Sequence, residues 1–131
     1  MTDNRFEEGM KVRRKILGDA HVDRAEANKS EVDADFQKYI VENAWGTVWT
    51  RDALSLRERS MLTICMMASL GHHDELAMHL RAAENAGTSR QDIVEILLQV
   101  GVYAGVPTAN TAFAIAKKTF AALDEENKKE T

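Results

Sequence analysis

Apolar residues recur along nearly the whole chain at the spacing of α-helices, with no sustained alternation of the kind typical of strands. The pattern predicts about six helices, and the fold class is therefore expected to be all-α. The residues predicted to face inward are, helix by helix, Phe6, Met10, Ile16 and Leu17; Val32, Phe36, Ile40 and Ala44; the run 61–70; Leu76, Leu80 and Ala83; Ile93, Ile96, Leu97 and Val100; and Ala112, Phe113, Ala116, Phe120 and Leu123.

Helix boundaries are marked by residues with known end preferences. Gly18 and Gly71 each follow an apolar run and are predicted to end the first and third helices. Ser55 and Glu58 form a capping-box pattern before the third helix, and Ser89 is predicted to cap the fifth. The second helix is expected to end near residues 45–46, and residues 19–31, polar and without period, are predicted to be a loop.

The length of 131 residues predicts a single domain, with a core over 6–123 and a frayed tail over 124–131. The net charge of -4, from 17 basic and 21 acidic residues, disfavours a nucleic-acid partner. The lone cysteine, Cys65, excludes an internal disulfide and any Cys-x-x-Cys site. No run is long and apolar enough to cross a membrane, and the charged N-terminus does not resemble a signal peptide, so a cytoplasmic location without a membrane partner is expected.

The segment 71–83 carries the most suggestive chemistry. On a helix, His72, Glu75 and His79 would be spaced by three and four residues and would share one face. Such a cluster suits proton transfer, because imidazole titrates near neutrality. The alternative is that His72 and His73 are merely solvated and only His79 faces inward. A metal site on the same triplet is a further alternative, although zinc proteases space their histidines four apart and no fourth ligand is evident.

Arginine offers a second kind of chemistry, since its planar guanidinium can hold a carboxylate through two hydrogen bonds. Most surface arginines serve only solvation, but a few lie in segments that do not otherwise need charge, as in His21-Val-Asp-Arg24. The tryptophans and tyrosines are more often core or interface residues than site residues. Chemistry of individual residues therefore leaves the function open at this point.

Several segments together resemble the 4-carboxymuconolactone decarboxylase family. The resemblance covers nearly the whole chain, about residues 6–123, and its N-terminal segments GDAHVDRA and AWGTVWTR are the most specific to the decarboxylases. The C-terminal half is shared with a broader superfamily that includes alkylhydroperoxidase D. The segments that carry the resemblance are 9–25, 44–51, 59–64, 75–83, 95–99 and 103–110.

The resemblance implies an alkylhydroperoxidase D-like helical domain that assembles through trimers, commonly into hexamers. It also implies decarboxylation of 4-carboxymuconolactone to 3-oxoadipate enol-lactone, in the protocatechuate branch of the β-ketoadipate pathway, without any cofactor or metal. The redox relatives carry Cys-x-x-Cys-x-x-x-His where this chain has His72, Glu75 and His79, so the thiol peroxidase reaction is excluded.

The implied reaction assigns roles to residues of this chain. His79 is expected to act as general acid or oxyanion partner, with Glu75 orienting it or sharing its proton. The expected substrate-binding residues are Arg51, Arg24 and Arg59 as carboxylate clamps, His21 as a contributor, and Trp45, Trp49 and Tyr103 as pocket lining. Two alternatives stay open: a non-catalytic or differently catalytic member of the superfamily, and a metal-dependent hydrolase using His72, Glu75 and His79.

Overall fold

The computed structural model describes residues 3–129, which form seven α-helices and, within that range, no β-strand. The predicted all-α class is therefore confirmed. The helices are α1 (Arg5–Leu17), α2 (Asp19–Asn28), α3 (Ala34–Ile40), α4 (Leu56–Leu70), α5 (His73–Ala82), α6 (Arg90–Tyr103) and α7 (Val106–Lys129). A π-helical segment, Val41–Val48, continues α3, and a 3-10 turn, Glu84–Ala86, follows α5. The chain divides into two compact units, residues 1–56 and 57–131. That these units belong to one domain remains a prediction.

The first unit is organised by a close contact between α1 and the π-helical segment. Gly9 and Gly46 make this contact possible, because a Cβ on Gly9 would collide with the Val41 carbonyl oxygen, and one on Gly46 with that of Arg5. Val41 and Trp45 are buried beside this crossing. The two backbones approach closely only because both positions are glycine.

The segment predicted to be a loop, residues 19–31, is mostly the helix α2. The prediction was wrong because Val22 is the one fully buried side chain of α2, and a single apolar residue produces no periodicity. Gly18, with φ of 89°, ends α1 as predicted and also immediately precedes α2.

The predicted inward stripe of the second helix is also wrong. Val32 is 90% exposed and Phe36 is largely exposed, whereas Val41 is 1% exposed and Trp45 is buried. The helix does not end near residues 45–46 but continues to Val48 with π-helical geometry. One wide turn brings the Trp49 N–H to the Ala44 carbonyl, five residues back, which shifts the register of the buried face.

The second unit is built on one hydrophobic core from α4, α5, α6 and α7. The inward residues predicted for α6, Ile93, Ile96, Leu97 and Val100, are all buried. Ser89 forms the predicted cap, a capping box in which its side chain accepts from the Asp92 N–H while Asp92 accepts from the Ser89 N–H. Gly71, with φ of 76°, ends α4 as predicted.

Helix α7 is the longest element, with 24 residues, and it remains helical through Lys129. Residues 124–129, predicted to fray, are therefore helical, and residues 130–131 lie outside the described part. Two exposed ion pairs hold its distal half: Arg81 to Glu126 and Arg90 to Asp124, each at 2.7 Å. Arg90 also lies over the Phe120 ring, 4.5 Å from its centroid.

Between residues 3 and 129 the helices lack the combined length and apolar character that crossing a bilayer requires.

Candidate functional site

His79 lies on the inward side of α5, where it is 8% exposed. Glu75, one helical turn earlier, is exposed near the start of the same helix. His72 precedes α5 at its N-cap position and is exposed, so His79 alone of the three side chains is buried. The pair at positions 75 and 79 remains at i, i+4 spacing, with the imidazole buried and the carboxylate open to solvent.

A metal centre finds no support among these side chains. Within residues 3–129, no three His, Cys, Asp or Glu side chains are grouped so that they could hold a metal ion. The metal-dependent hydrolase alternative therefore lacks the cluster of ligands it requires.

Arg59, on α4, carries an unusual polar atom. Its Nε is buried and has no hydrogen-bond partner within residues 3–129. A buried guanidinium N–H without an acceptor is costly, so such a group is a reason to look for an anionic ligand. Tyr103, at the end of α6, is 84% exposed and lines a shallow groove with Leu98 and Val102.

Five charged or titratable side chains lie on α1, on α2 or directly after α2: Arg13, His21, Arg24, Glu26 and Lys29. The Arg13 Nη1 donates to the Glu26 Oε1 at 3.3 Å, and the Lys29 Nζ donates to the Glu26 Oε2 at 2.9 Å. Partial burial, followed by the charges of Arg24 and Arg13, lowers the pKa of His21 below its ordinary value. The hydrogen bond from Lys29 is the largest cause that lowers the pKa of the Glu26 carboxyl. His21 is therefore predominantly neutral at pH 7 and lies in a positive field.

Trp45 and Trp49 pack against each other, with ring centroids 4.8 Å apart and planes tilted by 34°. Both rings are buried, and Arg51 follows them on the surface, just after the end of the π-helical segment. The π turn places these two indoles together, and π-helical segments occur frequently at functional sites.

The predicted site residues fall into two groups, one in each compact unit. The first unit holds His21, Arg24, Trp45, Trp49 and Arg51, and the second holds Arg59, Glu75, His79 and Tyr103. Within the first, His21 and Arg24 are close enough to interact and the two tryptophans are in contact.

One charged residue with a claim to function was not selected from the sequence. Arg13 is 6% exposed and shares the buried face of α1 with Gly9 and Ile16. The sequence contained an indication of this burial, because Arg13 lies three residues from both Met10 and Ile16, in phase with the predicted apolar stripe. A charge in phase with a core stripe is rare unless it is paired.

A half-open cavity of about 280 Å³ also lies within the second unit, and none of the predicted site residues lines it. Its floor is apolar, with Leu80, Ile93 and Phe120. Its arginines, Arg81 and Arg90, already donate to carboxylates of α7. Both arginines of the cavity are thus already paired with carboxylates.

Comparisons with known proteins agree with the resemblance seen in the sequence. The chain is 40% identical to the 4-carboxymuconolactone decarboxylase of Acinetobacter baylyi over 118 residues, covering 90% of this chain and 88% of that protein. It is 38% identical to the nitrosuccinic acid decarboxylase of Metarhizium robertsii over 114 residues, covering 87% and 80%. A 4-carboxymuconolactone decarboxylase of Pseudomonas putida is 45% identical over 42 residues, covering 32% of this chain and 88% of that protein. The sequence model of the carboxymuconolactone decarboxylase family matches residues 34–118, and the chain belongs to this family.

Proposed function

We propose that the protein is a carboxy-lyase that converts 4-carboxymuconolactone to 3-oxoadipate enol-lactone and CO2 without a cofactor. The observation that carries the proposal is the 40% identity to the Acinetobacter baylyi 4-carboxymuconolactone decarboxylase over 88% of that protein's length. The proposal places the enzyme in protocatechuate breakdown through the β-ketoadipate pathway. Its cytoplasmic location stays a prediction.

The chemistry of the substrate explains why side chains suffice. The lactone carries a carboxylate on a saturated ring carbon. That carbon adjoins the ring double bond, which is conjugated to the lactone carbonyl. When the bond to that carboxylate breaks, its electron pair enters the ring and a dienolate forms as CO2 leaves. The substrate is its own electron sink, so the protein must hold a dianion, stabilise an oxyanion and supply one proton.

His79 is proposed to supply that proton to the ring carbon beside the carbonyl, or to stabilise the oxyanion. Its burial supports this role, because a polar ring shielded from water acts more strongly on a developing charge than a solvated one. Glu75, at i−4 and exposed, is proposed to return a proton to His79 from solvent or to orient it.

Arg24, Arg51 and Arg59 are proposed to bind the two carboxylates, with His21 contributing. The buried Nε of Arg59, which lacks an acceptor within residues 3–129, supports a ligand-binding role for that residue. Local arginines must do this work because the net charge of -4 gives no long-range attraction for a dianion. Trp45, Trp49 and Tyr103 are proposed to line the pocket, with the first two already in contact.

The direct test is an assay of CO2 release from 4-carboxymuconolactone generated enzymatically, with and without a metal chelator. Equal turnover in both samples is expected. Turnover that disappears with chelator would contradict the cofactor-free mechanism. No turnover by a folded sample would favour a superfamily member with another role.

A second candidate substrate is suggested by the Metarhizium robertsii relative, which is named a nitrosuccinic acid decarboxylase. Nitrosuccinate is also a dicarboxylate with a built-in electron sink, because loss of the carboxylate beside the nitro group leaves a nitronate. The two candidates are separated by kcat/KM measured on both acids with the same preparation. The lactone is expected to have the higher kcat/KM, since the lactone decarboxylase is slightly more similar to this chain over more of its length.

We also propose that the protein is a homo-oligomer built through trimers, either a trimer or a hexamer. Two exposed apolar stripes in the second unit support this: Leu62, Met66 and Leu70 on α4, and Val94, Leu98 and Val102 on α6. Residues four apart on a helix share a face, so each set forms a continuous strip that a monomer would leave in water. Light scattering coupled to size-exclusion chromatography is expected to give three or six times 14.7 kDa. A mass of one chain would contradict the proposal.

A further inference from the structure

We infer that the half-open cavity of the second unit binds a small organic cation with an apolar body, such as an arylalkyl ammonium ion, and that Glu84 binds its charged end. The inference goes beyond the proposed decarboxylase activity, because none of the residues proposed for that activity lines the cavity. The site lies within the second unit alone, where α5, α6 and α7 share one hydrophobic core.

The cavity has an apolar floor that can cover the body of such a ligand. Leu80, Ala83 and Ile93 form the floor and are between 1% and 3% exposed. Phe120 and Leu123, both on α7, add two half-buried apolar side chains. The volume of about 280 Å³ exceeds the roughly 150 Å³ of an apolar cavity that holds benzene. An aromatic ring therefore fits the cavity.

Two arginines at the rim are fixed walls of the cavity. The Arg81 Nη2 donates to both carboxylate oxygens of Glu126 at 2.7 Å, and Arg90 donates to Asp124 at 2.7 and 3.2 Å. The Arg90 guanidinium also lies over the Phe120 ring. Each arginine thus has a carboxylate of α7 as its partner, and neither offers an unpaired charge to an anionic ligand.

Glu84 is the remaining charged residue of the rim, and no cation balances it. The charged residues that line the cavity are Arg81, Glu84 and Arg90. Within residues 3–129 the Glu84 carboxylate forms no salt bridge, whereas both arginines do. The hydrogen bond to Asp124 is the largest cause that raises the pKa of Arg90, and the charge of Glu84 contributes from farther away.

The other residues around the rim do not offset this carboxylate. Lys128 of α7 pairs with Glu125 at 3.3 Å, and the two remaining exposed polar residues of the rim, Ser89 and Asn127, are uncharged. The rim therefore carries an excess of one negative charge. Such an excess attracts a ligand with one positive charge and repels a carboxylate.

A ligand of this class satisfies both parts of the site. Its apolar body removes the floor from water, which is favourable in proportion to the area covered. Its ammonium group donates a charge-assisted hydrogen bond to Glu84, which is stronger than a bond between neutral groups. Because Glu84 is exposed, the ammonium keeps contact with water and avoids the cost of full burial.

The test compares benzylamine, which is cationic at pH 7, with benzyl alcohol and benzoate as neutral and anionic counterparts of similar size. Titrations of the full-length protein followed by NMR give the dissociation constant of each probe. Benzylamine is expected to bind about tenfold more tightly than benzyl alcohol, in the range of a hydrogen bond to a charged group. Benzoate is expected to bind more weakly than both.

Three variants locate the site. In Glu84→Gln, benzylamine is expected to bind only as weakly as the alcohol. Glu95→Gln removes an exposed carboxylate of α6 that does not line the cavity, and it should bind both probes like the wild type. Asn127→Trp places a bulky ring at the exposed rim and is expected to block both probes.

Four results would overturn the inference: no saturable binding of benzylamine, equal affinity for benzylamine and the alcohol, tightest binding of benzoate, or an unchanged benzylamine affinity in Glu84→Gln. The titrations contain no lactone, so their outcome is independent of the decarboxylation assay. Glu84-dependent binding in a protein without lactone turnover would preserve this site and refute the proposed function.

Discussion

The Arg57 guanidinium, at the start of α4, binds both carboxylate oxygens of Asp92, at the start of α6, with Nη2–Oδ1 at 2.7 Å and Nε–Oδ2 at 3.1 Å. The same carboxylate accepts the N–H of Ser89 and so completes the capping box of α6. One side chain thus both begins a helix and ties it to another helix 35 residues away in sequence.

The pairing of Arg57 with Asp92 predicts that the protein loses folding stability in acid. The hydrogen bond from Arg57, followed by that from Ser89, holds the pKa of Asp92 far below its ordinary value of 3.8. Because the folded-state pKa is lowered, the stability Asp92 contributes is complete above that ordinary value and is lost as the pH falls below it. Asp92→Asn is expected to lower the urea midpoint at pH 7. It is also expected to reduce the amount by which that midpoint falls between pH 5 and pH 3. Asp52→Asn, an exposed carboxylate, is the control, and an equal acid response in the Asp92 variant would contradict the prediction.

The contact between α1 and the π-helical segment predicts a severe effect of one methyl group. In Gly46→Ala the new Cβ would collide with the Arg5 carbonyl, a backbone atom that cannot rotate away. The expected loss in the free energy of unfolding is about 1–3 kcal/mol or more. Urea denaturation measures it, with Gly101→Ala as control because its Cβ would meet only the Ala109 Cβ at 3.4 Å. Equal midpoints for the two variants would contradict the proposed crossing.

His79→Gln is expected to lower kcat by at least about 10²-fold, the usual range for loss of a general acid. Circular dichroism and the oligomer mass should remain those of the wild type. His73→Gln, an exposed histidine on the same helix, is the matched control and should retain activity. An unchanged kcat in the His79 variant would remove His79 from the mechanism.

Arg59→Met separates a ligand-binding role from a structural one. Because the Nε of Arg59 is buried without an acceptor in the described residues, removing it relieves an unsatisfied group, and thermal stability is expected to stay equal or rise. Substrate binding should weaken, with KM at least about tenfold higher. Arg81→Met, an exposed ion-pair partner of Glu126, is the control. A lower melting temperature with an unchanged KM would show that Arg59 is structural.

Sequence patterns predicted the second unit far better than the first. Ser89 and Gly71 act through local backbone chemistry, and Ile93 and Leu97 belong to a stripe with a regular period, so each could be predicted without tertiary information. In the first unit the buried face depends on the close approach at Gly46, a contact between segments distant in sequence. No local pattern encodes such a contact.

The candidate site could be predicted in its residue types but not in its geometry. Buried His79 follows from the apolar residues that flank it in the sequence. The pairing of Arg13 with Glu26 depends on α2, and this helix was not predicted because Val22 is its one buried residue. Only the folded pair of helices brings the Arg13 guanidinium to the Glu26 carboxylate, at 3.3 Å.

Ionic strength is expected to affect the distal turns of α7 but not the apolar core. Arg81–Glu126 and Arg90–Asp124 are both solvent-exposed pairs, and dissolved ions at about 1 M shorten the reach of such charges to roughly 3 Å. The apolar core beneath them is strengthened, if anything, by excluded salts. Concentrated salt during purification is therefore expected to loosen the distal turns of α7 selectively. Amide exchange measured in these turns at several salt concentrations would identify the ionic strength that suits structural work.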